Sequence, residues 1–473
     1  QPNSVPSDVL KALETGEGPW ADPLIDWPDS LSAQEYADAT QHFVANQFSA
    51  LIKKYPFFPG STTYDPEAKA IETFEKSEAR CLRTNLLFHL RGQALRPLRF
   101  STEIESMRRF IRYVIGDAPS LSEVYDNCGF GPGASIGVHG NATNVGRKLL
   151  SRWSVSPSAY SYAYAAVMRH AQIREIIYRN PGGFTDGSTL YGPLGPIKEY
   201  VQFVDYNNIS FVPKTAKTHR PIAVEPLLNG YLQKGVDLVL RQRLKRINID
   251  LTNQEANAEM ARLGSLCGED PFVTIDLSSA SDSISIGLVR EVLPSDWFDF
   301  LNSIRSKHRK INGTVLTYHK FCSMGNGFCF PLETLLFVAA CHAVGCGRPG
   351  FDFRVYGDDI IVRQSRAAEV ISLLRYLGFR TNKDKTFIEG PFRESCGKDY
   401  FGGIDVRPYY LKHRLDSIPA LFKTINGMSS TDLRRSFFDV VRPFLIGRVP
   451  RDYRFFRPYD GNDDSCITSR CDE

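Results

Sequence analysis

Asp358 and Asp359 stand side by side in FRVYGDDIIVRQ, residues 353–364, between two runs of β-branched and aromatic residues. Adjacent carboxylates repel each other, and neither is a good strand residue. Gly357 and Asp358 both suit the positive φ angles of a tight hairpin turn, which would carry both aspartates to the tip at one end of a sheet. A plain solvated turn would tolerate them as well, and Gly-Asp-Asp arises by chance in about one chain in ten of this length. A third carboxylate changes the balance. Asp276 ends the apolar run Phe272-Val273-Thr274-Ile275 and leads straight into a helical stretch, where alone it would serve as a helix cap. If both strands share a sheet, Asp276 and Asp358 converge at one edge. Such carboxylates are hard oxygen ligands suited to Mg²⁺. Two ions about 3.5–4 Å apart activate an attacking hydroxyl and stabilise a leaving pyrophosphate.

The elements that must position these groups follow from the hydrophobic pattern. Residues 1–68 are rich in Pro, Ser and acids and read as an irregular extension with short helices. Lys69 to Ile115 has helical spacing, and Gly129 to Ala134 breaks it as a loop. A helical segment near Ala159 to Tyr178 precedes a Gly/Pro-rich passage from Asn180 to Pro196. Beyond Tyr200, VQFVDYNNISFVPKT alternates like strands, and a strand then runs into a long basic helix. Asn312-Gly313 in KINGTVLTYHK predicts a hairpin. Cys322 to Phe330 is a Gly-rich loop entering a helix, with Pro331 in its first turn. A helix from Ala367 to Leu377 and a strand-turn series ending near Pro408 follow, then a basic helical tail. This order predicts an α+β fold with an antiparallel sheet backed by helices.

Size and composition permit two or three subdomains: 473 residues, 42% hydrophobic and 23% charged. A net charge of +4 says little about partners. The ten cysteines include no Cys-x-x-Cys pair, so neither a zinc site nor a disulfide framework follows, and reduced thiols are expected. The N-terminus lacks an apolar signal core. The longest apolar run, Leu335 to Val344, is too short to span a bilayer. A soluble, intracellular protein with no membrane partner is expected.

The order Asp276-(x5)-Asp282, then Ser323-Met324-Gly325-Asn326-Gly327, then Tyr356-Gly357-Asp358-Asp359 resembles the palm motifs of viral RNA-dependent RNA polymerases. More narrowly, TIDLSSASDSIS, SMGNGFCFPLETLLF, VYGDDIIV and TNKDKTFIEGPFRESCGKDYF are similar to the replicase subunit of single-stranded RNA bacteriophages, the levivirus group. The resemblance covers roughly Lys69 to His413. It implies a right-hand polymerase: an extension over 1–68, fingers over 69–265, an antiparallel-sheet palm over 266–408 with a finger insertion around 300–320, and a helical thumb over 409–473.

It also implies roles. Asp276 and Asp358 become direct ligands of two Mg²⁺ ions, for which Mn²⁺ can substitute, with Asp359 a ligand or close neighbour. Asp282 sits near the incoming ribose, where a carboxylate accepts a hydrogen bond from a 2′-OH; alternatively it compensates a helix N-terminus. Ser323 and Asn326 could hold ribose or template, around a Gly325 that lets backbone approach a nucleotide closely; the plain alternative is a helix-capping loop. Lys214, Lys217 and Arg220 could grip the triphosphate, or form a solvated face. Lys383 and Lys385 are both candidates for the acid that protonates pyrophosphate, and either could instead contact backbone phosphate. Gly131 and Gly133 in FGPGAS resemble the template-entry loop, and Arg393 lies where it could support the primer strand. The tail from Arg434 to Arg457 holds seven arginines against two acids, which suits a duplex-cradling surface.

The activity implied is primer-independent, RNA-templated RNA synthesis in the cytoplasm of an infected bacterial host. RNA template and product, NTPs, host translation elongation factors and a ribosomal protein are the implied partners. A reverse transcriptase shares the palm, but typically places a bulky residue soon after the first Asp. Here Leu277-Ser278-Ser279-Ala280-Ser281 offers mostly small, polar groups and favours ribonucleotides. An inert palm-fold RNA-binding protein is the other alternative, and it would be expected to lose carboxylates that this chain keeps.

Overall fold

Phe272–Ile275 joins β-branched residues to an aromatic one and forms a fully buried strand. It pairs antiparallel with Asp359–Arg363, which pairs in turn with Arg354–Tyr356. The computed structural model describes residues 38–55, 65–94, 98–138, 143–179, 197, 200–215, 218–458 and 464–468. In the Tyr356–Asp359 hairpin only Gly357 takes a positive φ, 62°. That matches a type II′ turn, with glycine at its first central position. The expectation that Asp358 would share the positive φ, and that Asp359 would lie at the tip, is corrected: Asp359 already begins the returning strand. A Cβ at Gly357 would also meet the Phe330 ring at 2.4 Å, so the glycine is required sterically as well.

A second sheet joins Asn207–Thr215 to Thr218–Val224 and, in parallel, to His308–Ile311, which forms a hairpin with Thr314–Thr317. Asn312 and Gly313 both have positive φ, 49° and 85°, as the Asn-Gly signal requires. A third small sheet is built from Phe392–Ser395, Lys398–Phe401 and Ile404–Asp405.

Helix Cys329–Ala343 is apolar on nearly every face and correspondingly buried. It packs on helices Ser101–Ile115 and Leu227–Arg246. One continuous apolar core runs from Leu87 to Ile388. A separate cluster forms around Leu421, Ile425, Phe438 and Val449, and a third joins Ala39 and Phe43 to Phe392, Phe401 and Val406.

Two expected helices divide. The 69–115 pattern yields Pro66–Gly92 and Ser101–Ile115, the first ending on a glycine. The 159–178 pattern yields Tyr160–Arg169 and Ala171–Arg179, parted by an extended His170. From the extension, Ala39–Lys53 is a helix; the Gly/Pro-rich passage lies outside the described residues. Those cysteines that are described are free thiols. Among the described residues no helix is long and apolar enough to cross a membrane.

Candidate active site

Ile360 pairs with Ile275 across the central sheet. Continued by one residue, this register sets Asp359 opposite Asp276, and directly opposed residues have Cβ atoms about 4.5–5.5 Å apart. Asp358 is exposed on the adjoining turn. The three aspartates therefore share one end of one sheet. Burial pushes the Asp276 carboxyl up to about 6, with Asp358 adding to the shift, while Asn382 and Lys385 pull it down. Burial, and then the charge of Asp358, push Asp359 up to about 7. These shifts express the cost of gathering like charges in a partly dry place. Among the described residues, no three His, Cys, Asp or Glu side chains stand close enough to enclose an ion.

The segment after the Gln364–Tyr376 helix holds Asp276 in place. Asn382 donates through Nδ2 to Asp276 Oδ1 at 2.9 Å, and its backbone N–H donates to the Asp276 carbonyl at 2.9 Å. The Asp276 N–H donates to Thr386 Oγ1 at 3.2 Å. Asn382 was not singled out from the sequence, although it lies inside TNKDKT. Lys385 separates from Lys383 here. Its Nζ lies 3.0 Å from Glu394 Oε1 and 3.9 Å from Asp276 Oδ2, whereas Lys383 is exposed. Burial works against the Lys385 ammonium, but Glu394 and Asp276 outweigh it and raise its pKa.

Lys214 and Arg220 lie on the paired strands Asn207–Thr215 and Thr218–Val224. The Lys214 ammonium is depressed by burial and then by Arg220 and Lys385, and is held up by Asp276 and Asp358. It therefore lies within electrostatic reach of the carboxylate edge. Lys217 lies outside the described residues.

The Gly-rich loop behaves differently from expectation. A Cβ on Gly325 (φ 108°) would meet the Ala223 carbonyl oxygen at 2.2 Å; the close approach is to this chain's own backbone. The Ala223 N–H donates to the Met324 carbonyl at 2.7 Å, and the Gly327 N–H to Gln233 Oε1 at 3.0 Å. Ser323 and Asn326 are buried. Ser323 lies beside the Tyr318 hydroxyl, and Asn326 Oδ1 accepts from the Phe328 N–H at 3.1 Å. Both side chains shape the loop.

Asp282 lies in a single 3₁₀ turn, Ser281–Ser283, ahead of helix Ile286–Val292, which Ser285 caps. The helix-terminus alternative is thus corrected. Lys320 Nζ instead donates to Asp282 Oδ1 at 2.7 Å. Lys320 is fully buried, 3.9 Å from Glu78 Oε1, with its ammonium 3.6 Å from the Phe74 ring centroid.

Glu333, also missed, is the only acidic residue of helix Cys329–Ala343 and is buried. Its Oε1 has no hydrogen-bond partner. Burial raises its pKa well above the usual range, and Cys329, Asp358 and Asp282 push the same way. A lone acid in an otherwise apolar helix, just after the Gly-rich loop, was the available signal. The following residue, Thr334, accepts through Oγ1 from the Gly357 N–H at 3.0 Å.

Arg393 is corrected outright. It is fully buried. Its guanidinium donates to the carbonyls of Phe272 (2.7 Å), Gly390 (2.8 Å), Phe392 (2.6 Å), Glu389 (3.3 Å) and Ile388 (3.4 Å). It is a strut between the central and third sheets and cannot reach RNA. Arg393→Met should cost about 2–3 kcal/mol, since orphaned buried acceptors each cost about 1–3 kcal/mol. Urea unfolding measures that loss, while the salt dependence of RNA binding should stay unchanged.

Gly131 and Gly133 offer their carbonyls to the buried Lys148 ammonium, so a cation pins that loop. In the tail, Arg434, Arg442 and Arg454 donate to backbone carbonyls within the C-terminal region. Phe438 is core, while Phe455 and Phe456 are exposed.

A turn-borne Gly-Asp-Asp beside a strand-end aspartate, on an antiparallel sheet backed by helices, defines a palm-type template-directed polymerase. The family model described as "RNA replicase, beta-chain" matches residues 3–434, and the chain belongs to that family. It is 36% identical over 435 residues to the "RNA-directed RNA polymerase subunit beta" of Escherichia virus Qbeta, covering 90% of this chain and 68% of that one. It is 36% identical over 338 residues to the "RNA-directed RNA polymerase beta chain" of Escherichia phage MS2, covering 69% and 58% respectively. A solved "RdRp complex" aligns at a TM-score of 0.39 and 12% identity, covering 71% of this chain and 32% of that chain. The chain thus spans about two thirds of its Qbeta relative and about a third of that solved chain.

Proposed function

We propose that this chain synthesises RNA on an RNA template, joining each incoming nucleotide to a 3′-hydroxyl with release of pyrophosphate, and that it starts without a primer. The observation that carries the reading is the shared sheet end of Asp276, Asp358 and Asp359. Oxygen donors whose charges already oppose one another fit divalent cations, and two Mg²⁺ ions, with Mn²⁺ as substitute, are the group they would hold. When bound, such ions supply Lewis-acid stabilisation of the attacking and leaving oxygens.

The remaining work is positioning and charge neutralisation. Lys214 and Arg220 neutralise the triphosphate, and Asp282 faces the ribose. Lys385 is the better placed of the two lysines to give a proton to departing pyrophosphate. Its ammonium sits beside Asp276 and Glu394 and stays protonated at neutral pH. Residues 266–408 form the palm, 69–265 the fingers and 409–473 the thumb. RNA, NTPs, host elongation factors and a ribosomal protein are the partners, in the cytoplasm of the host bacterium.

The test is labelled-nucleotide incorporation on an RNA template by the purified enzyme, with its co-purifying host proteins. Incorporation should require NTPs and a divalent ion and stop on chelation. A preference for dNTPs would convert the assignment to reverse transcription.

A further inference from the structure

We propose that Glu394 is a positioning residue: it holds the Lys385 ammonium beside Asp276, where pyrophosphate departs, without itself touching substrate. Lys385 needs such a holder. A lysine is a point charge on a flexible four-carbon stem. This one is 43% exposed and lines a cavity of about 1010 Å³ between helix Ala39–Lys53 and the third sheet. Asp276 cannot fix the ammonium alone. Its Oδ2 stands 3.9 Å from Nζ, beyond hydrogen-bond reach, and its Oδ1 accepts from Asn382. Glu394 Oε1, in contrast, accepts from Lys385 Nζ at 3.0 Å.

The setting of Glu394 points the same way. Glu394 and Asp399 face each other across the hairpin of Phe392–Ser395 and Lys398–Phe401, and like charges directly opposite destabilise a sheet. The Arg407 guanidinium bridges them, 2.5 Å from Asp399 Oδ1 and 3.4 Å from Glu394 Oε1. One cation for two acids leaves a negative charge over, and Lys385 answers it. Asp399, Arg407, Glu394 and Lys385 thus form a chain of alternating charge from the third sheet to the catalytic edge. The backbone beside Lys385 is tied to the same edge, because Thr386 Oγ1 accepts from the Asp276 N–H. Stem and head of the lysine are therefore anchored separately, the head by Glu394. Displacing a reacting group by about 1 Å can cost about a hundredfold in rate.

This inference rests on the polymerase reading and on Lys385 as the proton donor, and the experiment separates them. Single-nucleotide addition on an RNA template is measured across NTP concentrations, using the full enzyme and its co-purifying proteins. Wild type, Glu394→Gln, Glu394→Asp, Lys385→Met and the Lys385→Met/Glu394→Gln double variant are compared, with thermal unfolding of each to verify folding. Lys385→Met should lower kcat about a hundredfold or more, the size of general acid catalysis. Glu394→Gln, of the same shape but uncharged, should lower kcat about 10- to 100-fold, with KM for the NTP within about threefold of wild type. Glu394→Asp, which keeps the charge on a shorter stem, should recover part of that loss. The double variant should be no slower than Lys385→Met alone, since a holder is idle once the held group is gone. Losses that multiply in the double variant, a raised KM in place of a lowered kcat, or an unchanged Glu394→Gln would overturn this inference alone. An unchanged Lys385→Met would overturn the proton-donor assignment and this inference with it. A wild type that adds no nucleotide would overturn the polymerase reading itself.

Discussion

Asp358→Asn should reduce RNA synthesis at least about a thousandfold while leaving the fold and RNA binding intact. On the proposed reading Asp358 would hold ions that stabilise the transition state, and losing such a ligand removes several kcal/mol, each 1.36 kcal/mol being tenfold in rate. The fold should be spared because Asp358 is exposed on a turn that Gly357 makes, and asparagine suits a turn. The substitution also removes a charge that raises both Asp276 and Asp359, so the metal-free unfolding midpoint should hold or rise. Incorporation assays, RNA-binding titrations and thermal melts on the same preparation check all three. Activity within tenfold of wild type would place the chemistry elsewhere.

Lys320→Met should cost about 3–5 kcal/mol of stability, the usual result of breaking a buried pair from one side. Lys320 is fully buried, and its removal strands the Asp282 carboxylate, 14% exposed, and takes one of two cations from Glu78, 3% exposed, which keeps Arg309 at 3.4 Å. For a domain stable by about 5–15 kcal/mol that is a large fraction. The added Asp282→Asn change should recover part of the loss, because one stranded charge is gone. Urea midpoints of the single and double variants measure this. A loss below about 1 kcal/mol would mean the lysine contributes no net stabilisation. Because Lys320 also fixes Asp282, KM for NTPs should rise in the single variant.

Local features were legible wherever backbone chemistry decides them. Asn312-Gly313 turned where its sequence required, and the Phe272–Ile275 strand matched to within one residue. The shared edge of Asp276 and Asp358 was reachable because their flanking runs are too β-prone to be anything but strands. What the sequence hid depended on distant partners. Arg393 lies in a polar string, and only the Phe272 carbonyl, 121 residues away, makes it a strut. Lys320 looks like any surface lysine until Glu78 and Phe74 close over it. Gly325 was read as making room for a nucleotide, whereas the group it admits is the Ala223 carbonyl. In the tail, composition does not reveal that Arg434, Arg442 and Arg454 are occupied by carbonyls, while Arg448, Arg451 and Arg457 are exposed.

Helix Ala39–Lys53 has one more consequence. Gln47 Nε2 donates to the Tyr409 carbonyl at 2.9 Å, and the Tyr409 N–H donates to Gln47 Oε1 at 2.8 Å, across 362 residues of chain. Phe43 likewise meets Phe437 at 5.8 Å between ring centroids. A nascent chain emerges N-terminal end first at about 5–20 residues per second. This early helix must therefore wait on the order of 20 seconds or more for its mate to leave the ribosome, holding its apolar face open to chaperones meanwhile.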